Sequence, residues 1–236
     1  MMVRIGNFFF HYRNGLFPLL YILIFLNGPT AFENHRLALL IGGLVALGGQ
    51  ILRAVTVGLD YIVRGGRNRQ VYADRLVHGG LFAHCRNPLY VGNYLILVGV
   101  GIASNSLLFL AIGLPFFLFA YWAIIAAEEA FLRGKFGEEF DKYCRQVNRL
   151  LPNFSGLSKT LEGMHFNWRR LISAEYGSAY IWMAAIILAT LKNIWFGGGY
   201  DIHRPAVQAL WGSLLLVSVA YTVARYFKKR GDLETD

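Results

Sequence analysis

Two short stretches hold most of the residues able to do chemistry together. The first reads Gly80-Leu81-Phe82-Ala83-His84-Cys85-Arg86-Asn87-Pro88-Leu89-Tyr90-Val91-Gly92. Asn87 has the side chain of an N-cap and Pro88 suits the first helical position, so a helix is predicted to start here. A helix start presents free N–H groups and the positive end of the dipole, which together hold an anion. Arg86 adds a planar fork that matches a carboxylate. Tyr90 and Gly92 fall on the first turn, where an aromatic face and a missing side chain would suit a flat ligand. A basic membrane anchor followed by a good helix start would look the same.

The second stretch is Glu128-Glu129, continued by Leu132, Phe136-Gly137, Phe140, Tyr143, Val147, Arg149 and Pro152. The two carboxylates close an apolar run and are expected at a helix C-terminus, where the macrodipole favours cations instead. An unfavourable placement suggests a task, such as accepting hydrogen bonds from hydroxyls or attracting a cationic ligand. The alternative is that they mark the water boundary and pair with Arg133 or Lys135.

The elements that must position these residues are membrane helices. The chain is 56% hydrophobic and 16% charged, with mean hydropathy +0.42, whereas soluble domains run near 45–50% apolar and about 25% charged. Disorder is excluded by the same numbers. Cys85 and Cys144 cannot make a disulfide framework or a thiolate zinc site. The six histidines are scattered, so no metal is expected. Apolar runs occupy residues 16–31, 37–59, 89–103, 107–127, 177–195 and 206–227, most of them near the roughly 20 residues that span a bilayer. The first and third are short, and a tilted or partly inserted hairpin arm is expected at the third. The fold class is therefore all-α, a polytopic membrane bundle of about six transmembrane helices. Because Ser104-Asn105-Ser106 turns the third run into the fourth, residues 80–92 should lie near residues 128–152.

The net charge of +9 follows topology. Nineteen Lys and Arg residues fall on the side of the termini: two before the first span, five in the loop after the second, eight after the fourth and four in the tail. Only Arg36, Lys192 and Arg204 fall on the other side, and Arg53 lies within the second span. The split places both termini in the cytoplasm, of a prokaryotic inner membrane or an endoplasmic reticulum, and the basic residues would also grip anionic lipid headgroups. Nucleic acid is not needed to explain them. The first 30 residues contain Pro18 and end in Asn27-Gly28-Pro29 without a small-residue cleavage site, and are expected to remain as a first helix.

The run R-N-P-L-Y-x-G, followed one hairpin later by E-E-x-x-L-x-x-x-F-G-x-x-F-x-x-Y-x-x-x-V-x-R-x-x-P, resembles the integral-membrane methyltransferases, that is, the isoprenylcysteine carboxyl methyltransferase and phospholipid N-methyltransferase superfamily. The resemblance covers roughly residues 40–155. It implies a cytoplasmic site for S-adenosylmethionine and a lipophilic or prenylated acceptor arriving from the bilayer, with membrane lipids as neighbours. Arg86, Asn87, Pro88, Tyr90, Gly92, Glu128 and Glu129 would hold the cofactor. Glu129 and Arg149 would be catalytic, Arg149 by orienting an anionic acceptor and a glutamate by taking a proton from an amine.

The chain departs in two places from the family's usual G-P-Y-x-x-x-R-H-P-x-Y-x-G. Asn87 stands where histidine is commoner, and Leu81-Phe82 stand for Pro-Tyr. Both leave the acceptor open, between carboxylate O-methylation and amine N-methylation. The competing readings are an NADPH-dependent membrane sterol-type reductase, for which an acidic residue would be expected at Asn93, and a non-catalytic protein retaining the pocket.

By organisation, residues 1–36 form an N-terminal helix and flank, and residues 37–155 a methyltransferase-like core. Residues 156–236 form an interfacial segment and two further spans without an assigned role. Arg53 is either functional or snorkelling. Gly92, Gly99 and Ala103 would make a packing stripe, Pro115 would kink the fourth span, and His165 to Arg170 would lie at the interface.

Overall fold

The computed structural model describes residues 1–59, 64–67, 70–73, 75–199 and 201–233. Among these, eight α-helices carry the chain: α1 (Met2–Phe25), α2 (His35–Leu59), α3 (Pro88–Ser104), α4 (Leu114–Phe136), α5 (Glu138–Gln146), α6 (Leu157–Glu162), α7 (Trp168–Phe196) and α8 (Arg204–Arg230). A small antiparallel hairpin, β1 (Arg64–Arg67) with β2 (Gln70–Ala73), lies in the loop after α2. Of the basic residues counted for topology, Arg69 lies outside the described residues, as do the side chains of Arg64 and Arg67.

Among the described residues, five helical elements are long and apolar enough to cross a membrane: α1, α2, the α4 element counted from Phe109, α7 and α8. The sixth expected span, α3, has 17 residues and reaches only about 25 Å at 1.5 Å per residue, short of a hydrocarbon core of roughly 30 Å. The architecture is thus an all-α polytopic bundle with one short member. Helix α1 starts earlier than the apolar run suggests, so Arg13 belongs to the helix rather than to a flank.

The tightest packing joins α2 to α3, because small residues face each other across it. A Cβ at Gly99 would strike the backbone of Ala46 and Gly42, one at Gly42 would strike Ala103, and one at Gly49 would fall 2.6 Å from the Gly92 carbonyl. The expected stripe on α3 therefore meets a matching stripe on α2, the arrangement that lets membrane helices approach closely without a hydrophobic driving force. At the far end Asn105 adopts the left-handed conformation, with φ 54°, which asparagine tolerates. Its side-chain oxygen accepts from the Ala31 and Phe32 amides at 3.1 and 2.8 Å, tying the α1–α2 connection to the α3–α4 turn.

Pro115 sits in the first turn of α4, directly after a π-helical turn at Phe109–Gly113. Proline cannot donate to the preceding turn, and the widened turn absorbs the missing bond, so the irregularity precedes Pro115. Helix α7 joins the same core: Trp182, Ala185, Ile186 and Ala189 pack with Ile96, Val100 and Phe117. The segment from His165 to Arg170 docks rather than floats. Phe166 fills the space over Gly58, and Asn167 both donates to the Gly58 carbonyl at 2.8 Å and caps α7.

Candidate active site

The loop before α3 is stitched to the segment after α5. The Arg86 amide donates to the Asn148 carbonyl at 2.9 Å, and the Asn153 amide to the His84 carbonyl at 2.9 Å. The Tyr143 hydroxyl donates to the Phe82 carbonyl at 2.7 Å. The buried ring of His84 bridges the Asn153 carbonyl and the Thr160 hydroxyl. The Cys85 thiol donates to the Leu150 carbonyl at 3.4 Å. Burial pushes that thiol's pKa up, against the smaller pull of the Asn87 amide and the Arg86 charge. The two sequence stretches thus form one structure, as the hairpin geometry required.

Helix α3 starts at Pro88 with Asn87 as its N-cap residue, but the Asn87 side chain makes no capping bond. Its amide donates instead to the Arg149 carbonyl at 3.1 Å. The expected cap is replaced by a tie to the second stretch.

Glu128 and Glu129 also differ from expectation. Helix α4 continues to Phe136, so the pair lies about two turns inside, beyond the last turn where the macrodipole acts. Both are buried, at 6% and 5% exposure. Burial without water requires partners, and each has them. Successive helix positions point about 100° apart, and the two carboxylates address different surroundings. Glu128 accepts from the Tyr90 hydroxyl at 2.8 Å. Glu129 accepts from Arg149 through Nε at 3.1 Å and Nη2 at 2.5 Å, and lies 3.5 Å from Nη2 of Arg86. Neither pairs with Arg133, which binds Asp141 instead. The Arg149 guanidinium also lies 4.8 Å over the Trp122 ring, and its side chain keeps 32% exposure.

On the Glu128 side lies a chamber of about 730 Å³, within the usual range for a ligand pocket. Its polarity is graded along several helices at once. By position along the helices, Asn87, Tyr90 and Glu128 lie toward one end together with Arg13 and Asn14 of α1, Tyr21, Ile96, Leu97 and Trp182 lie toward the other, and Arg53 and Asn93 lie between. Gly92 is turned away from this chamber. A Cβ there would strike the stem of Arg53 and lie 2.8 Å from the Gly49 carbonyl. Its missing side chain makes room for α2, not for a flat ligand.

Arg53 proves to be the centre of a network that joins α2, α3 and α7. It donates to Glu175 through Nε at 2.8 Å and Nη2 at 2.6 Å, and to Asn93 Oδ1 at 2.5 Å. Gln50 donates to Glu175 at 3.0 Å and accepts from the Trp182 indole at 2.9 Å. Arg53 does not snorkel to the interface: it is held in an ion pair with Glu175 and also lines the chamber. Glu175 and Gln50 escaped the sequence reading, although a lone carboxylate beside an apolar run is a signal.

Residues 38–139 match the family model described as phospholipid methyltransferase. The chain is 36% identical over 83 residues to the nickel-cobalt-cadmium resistance protein NccN of Alcaligenes xylosoxydans xylosoxydans, covering 35% of this chain and 38% of that protein. It is 27% identical over 154 residues to the cobalt-zinc-cadmium resistance protein CzcN of Cupriavidus metallidurans, covering 64% of this chain and 68% of that protein. The chain thus spans well under half of the first relative and about two thirds of the second. No solved structure matches it.

Proposed function

We propose that this chain, whose core at residues 38–139 places it in the integral-membrane methyltransferase superfamily, transfers a methyl group from S-adenosylmethionine to a lipophilic acceptor at the cytoplasmic membrane face. The observation that carries the reading is the convergence of both motifs on one carboxylate pair, with Tyr90 on Glu128 and with Arg86 and Arg149 on Glu129.

The donor set fits the cofactor. Arg86 and the start of α3 suit a carboxylate, and Glu129 retains acceptor capacity for hydroxyls or an ammonium beyond its arginine bonds. Tyr90 and Glu128 offer an aromatic face and a negative charge to a cation. The cofactor supplies an electrophilic methyl group on a sulfonium. The chain's own contribution is alignment and exclusion of water, which in-line displacement needs more than a strong base. The acceptor's lone pair forms the new bond to the methyl carbon while the electrons of the carbon–sulfur bond stay on sulfur. A carboxylate acceptor then needs no proton transfer, and Arg149 is the group to orient it. An amine acceptor must lose a proton, and one of the two glutamates would take it; Glu128 lines the chamber.

The names of both relatives refer to metal resistance. Among the described residues no group of three or more His, Cys, Asp or Glu is placed to hold a metal ion. The test is incubation of the purified protein with native lipid extract and methyl-labelled S-adenosylmethionine, with products identified by mass spectrometry. A labelled lipid formed by the wild type and reduced at least about tenfold in Arg86→Ala and Glu129→Ala supports the reading. Equal product from the variants would overturn the assignment of these residues.

A further inference from the structure

The chamber beside Glu128 is lined by a tryptophan that is held in place by more than packing. Trp182 is 9% exposed and lines the apolar end. Its indole N–H donates to Gln50, Gln50 donates to Glu175, and Glu175 is gripped at both oxygens by Arg53. A buried tryptophan needs one partner for its N–H. Here the partner chain runs back to a buried ion pair joining α2 and α7, which fixes where the ring stands. Behind the ring, Ala185, Ile186 and Val100 close the core.

The depth of the chamber follows from helix geometry. Ala174 and Trp182 both line it, and eight residues of α7 at 1.5 Å each separate them by roughly 12 Å. One leaflet of hydrocarbon is about 15 Å deep, half of a core of roughly 30 Å. Along α1 the lining runs from Phe10 to Tyr21, roughly 16 Å by the same rise, so the chamber is about one leaflet deep, with Trp182 among the residues at its deeper, apolar end. Both α1 and α7 lie outside residues 38–139, so these walls are contributed by this chain in addition to the matched family segment.

We propose that Trp182 is the floor of a chamber for the acceptor's hydrocarbon chain and selects its length, with the Gln50–Glu175–Arg53 network acting as its positioning support. The inference rests on the lipid-acceptor reading above. Ser178, one turn closer to the polar end on the same helix face, lies between the mouth and the floor.

The test uses the protein in nanodiscs and two homologous probe series, fatty acids and alkylamines from octyl to octadecyl, each ending in bromine. In a variant keeping Trp182 and carrying phenylalanine at Trp122, Trp168, Trp195 and Trp211, bromine should quench fluorescence most at one chain length. Quenching there should be at least about twofold stronger than at the ends of the series. Ser178→Phe should move the maximum to shorter chains. In labelled methyl transfer with unbrominated probes, Trp182→Ala should move the preferred acceptor to longer chains. Shifts in opposite directions are not what general damage to folding produces. Quenching independent of length, or unmoved by Ser178→Phe, would show a lipid-filled gap and overturn the proposal. Length-dependent quenching without any methyl product would instead sink the transferase reading and leave the chamber standing. Methyl product with flat quenching would do the reverse.

Discussion

At the scale of single residues, burial decides which groups are poised and which are fastened. Glu128 and Glu129 adjoin in sequence and are equally buried, yet one faces a chamber and the other is clasped by arginines. Their presence was legible from sequence. Their division of labour was not, because it depends on the helix running on to Phe136 and on which neighbours each rotation meets. Gly92 and Asn87 teach the same lesson. Both belong to the recognisable motif, but one makes room for Arg53 and the other ties down the Arg149 carbonyl. Cys85 offers a direct check of the fastened loop. Its thiol is buried with a raised pKa, whereas Cys144 is only half-buried. The reactive thiolate fraction is therefore small, and access is poor. At neutral pH a maleimide should label Cys144 well before Cys85, followed by mass spectrometry of the two peptides. Equal rates would mean that the loop is open.

At the scale of elements, the α2–α3 contact sets the frame for the site. Periodic small residues made one side of it legible, since Gly92, Gly99 and Ala103 share a face at helical spacing. The facing stripe of Gly42, Ala46 and Gly49 emerges only from the pairing. Because the obstructing atoms at Gly99 are backbone of Ala46 and Gly42, a larger side chain cannot be accommodated by a rotamer change. Overpacking of this kind costs about 1–3 kcal/mol and sometimes more. Gly99→Leu should lower the unfolding midpoint in detergent and displace the first turn of α3 that carries Tyr90. Gly134→Leu, where a Cβ meets nothing within 4 Å, should have little effect. Similar losses in both variants would contradict close α2–α3 approach. The role of α7 was the least legible. Its hydrophobic run could be read, but not that Glu175 would cross to Arg53, about 120 residues away in sequence, since no local pattern encodes that pairing.

At the scale of the whole molecule, charge asymmetry and the site make separable claims. We expect both termini and the Arg86–Glu129–Arg149 cluster on the cytoplasmic side, from the distribution of 19 basic residues against three. Cysteine introduced at Asp232 should react with an impermeant reagent only after cell lysis, while one introduced at Asn34 should react in intact cells. Labelling of both, or of Asp232→Cys alone, before lysis would reverse the topology. The central claim concerns the cofactor, and binding measures it most directly. Calorimetry on the purified protein in detergent should show S-adenosylmethionine binding at micromolar concentration, weakened by Glu129→Ala or Arg86→Ala, and no binding of NADPH. Binding of NADPH without binding of S-adenosylmethionine would contradict it.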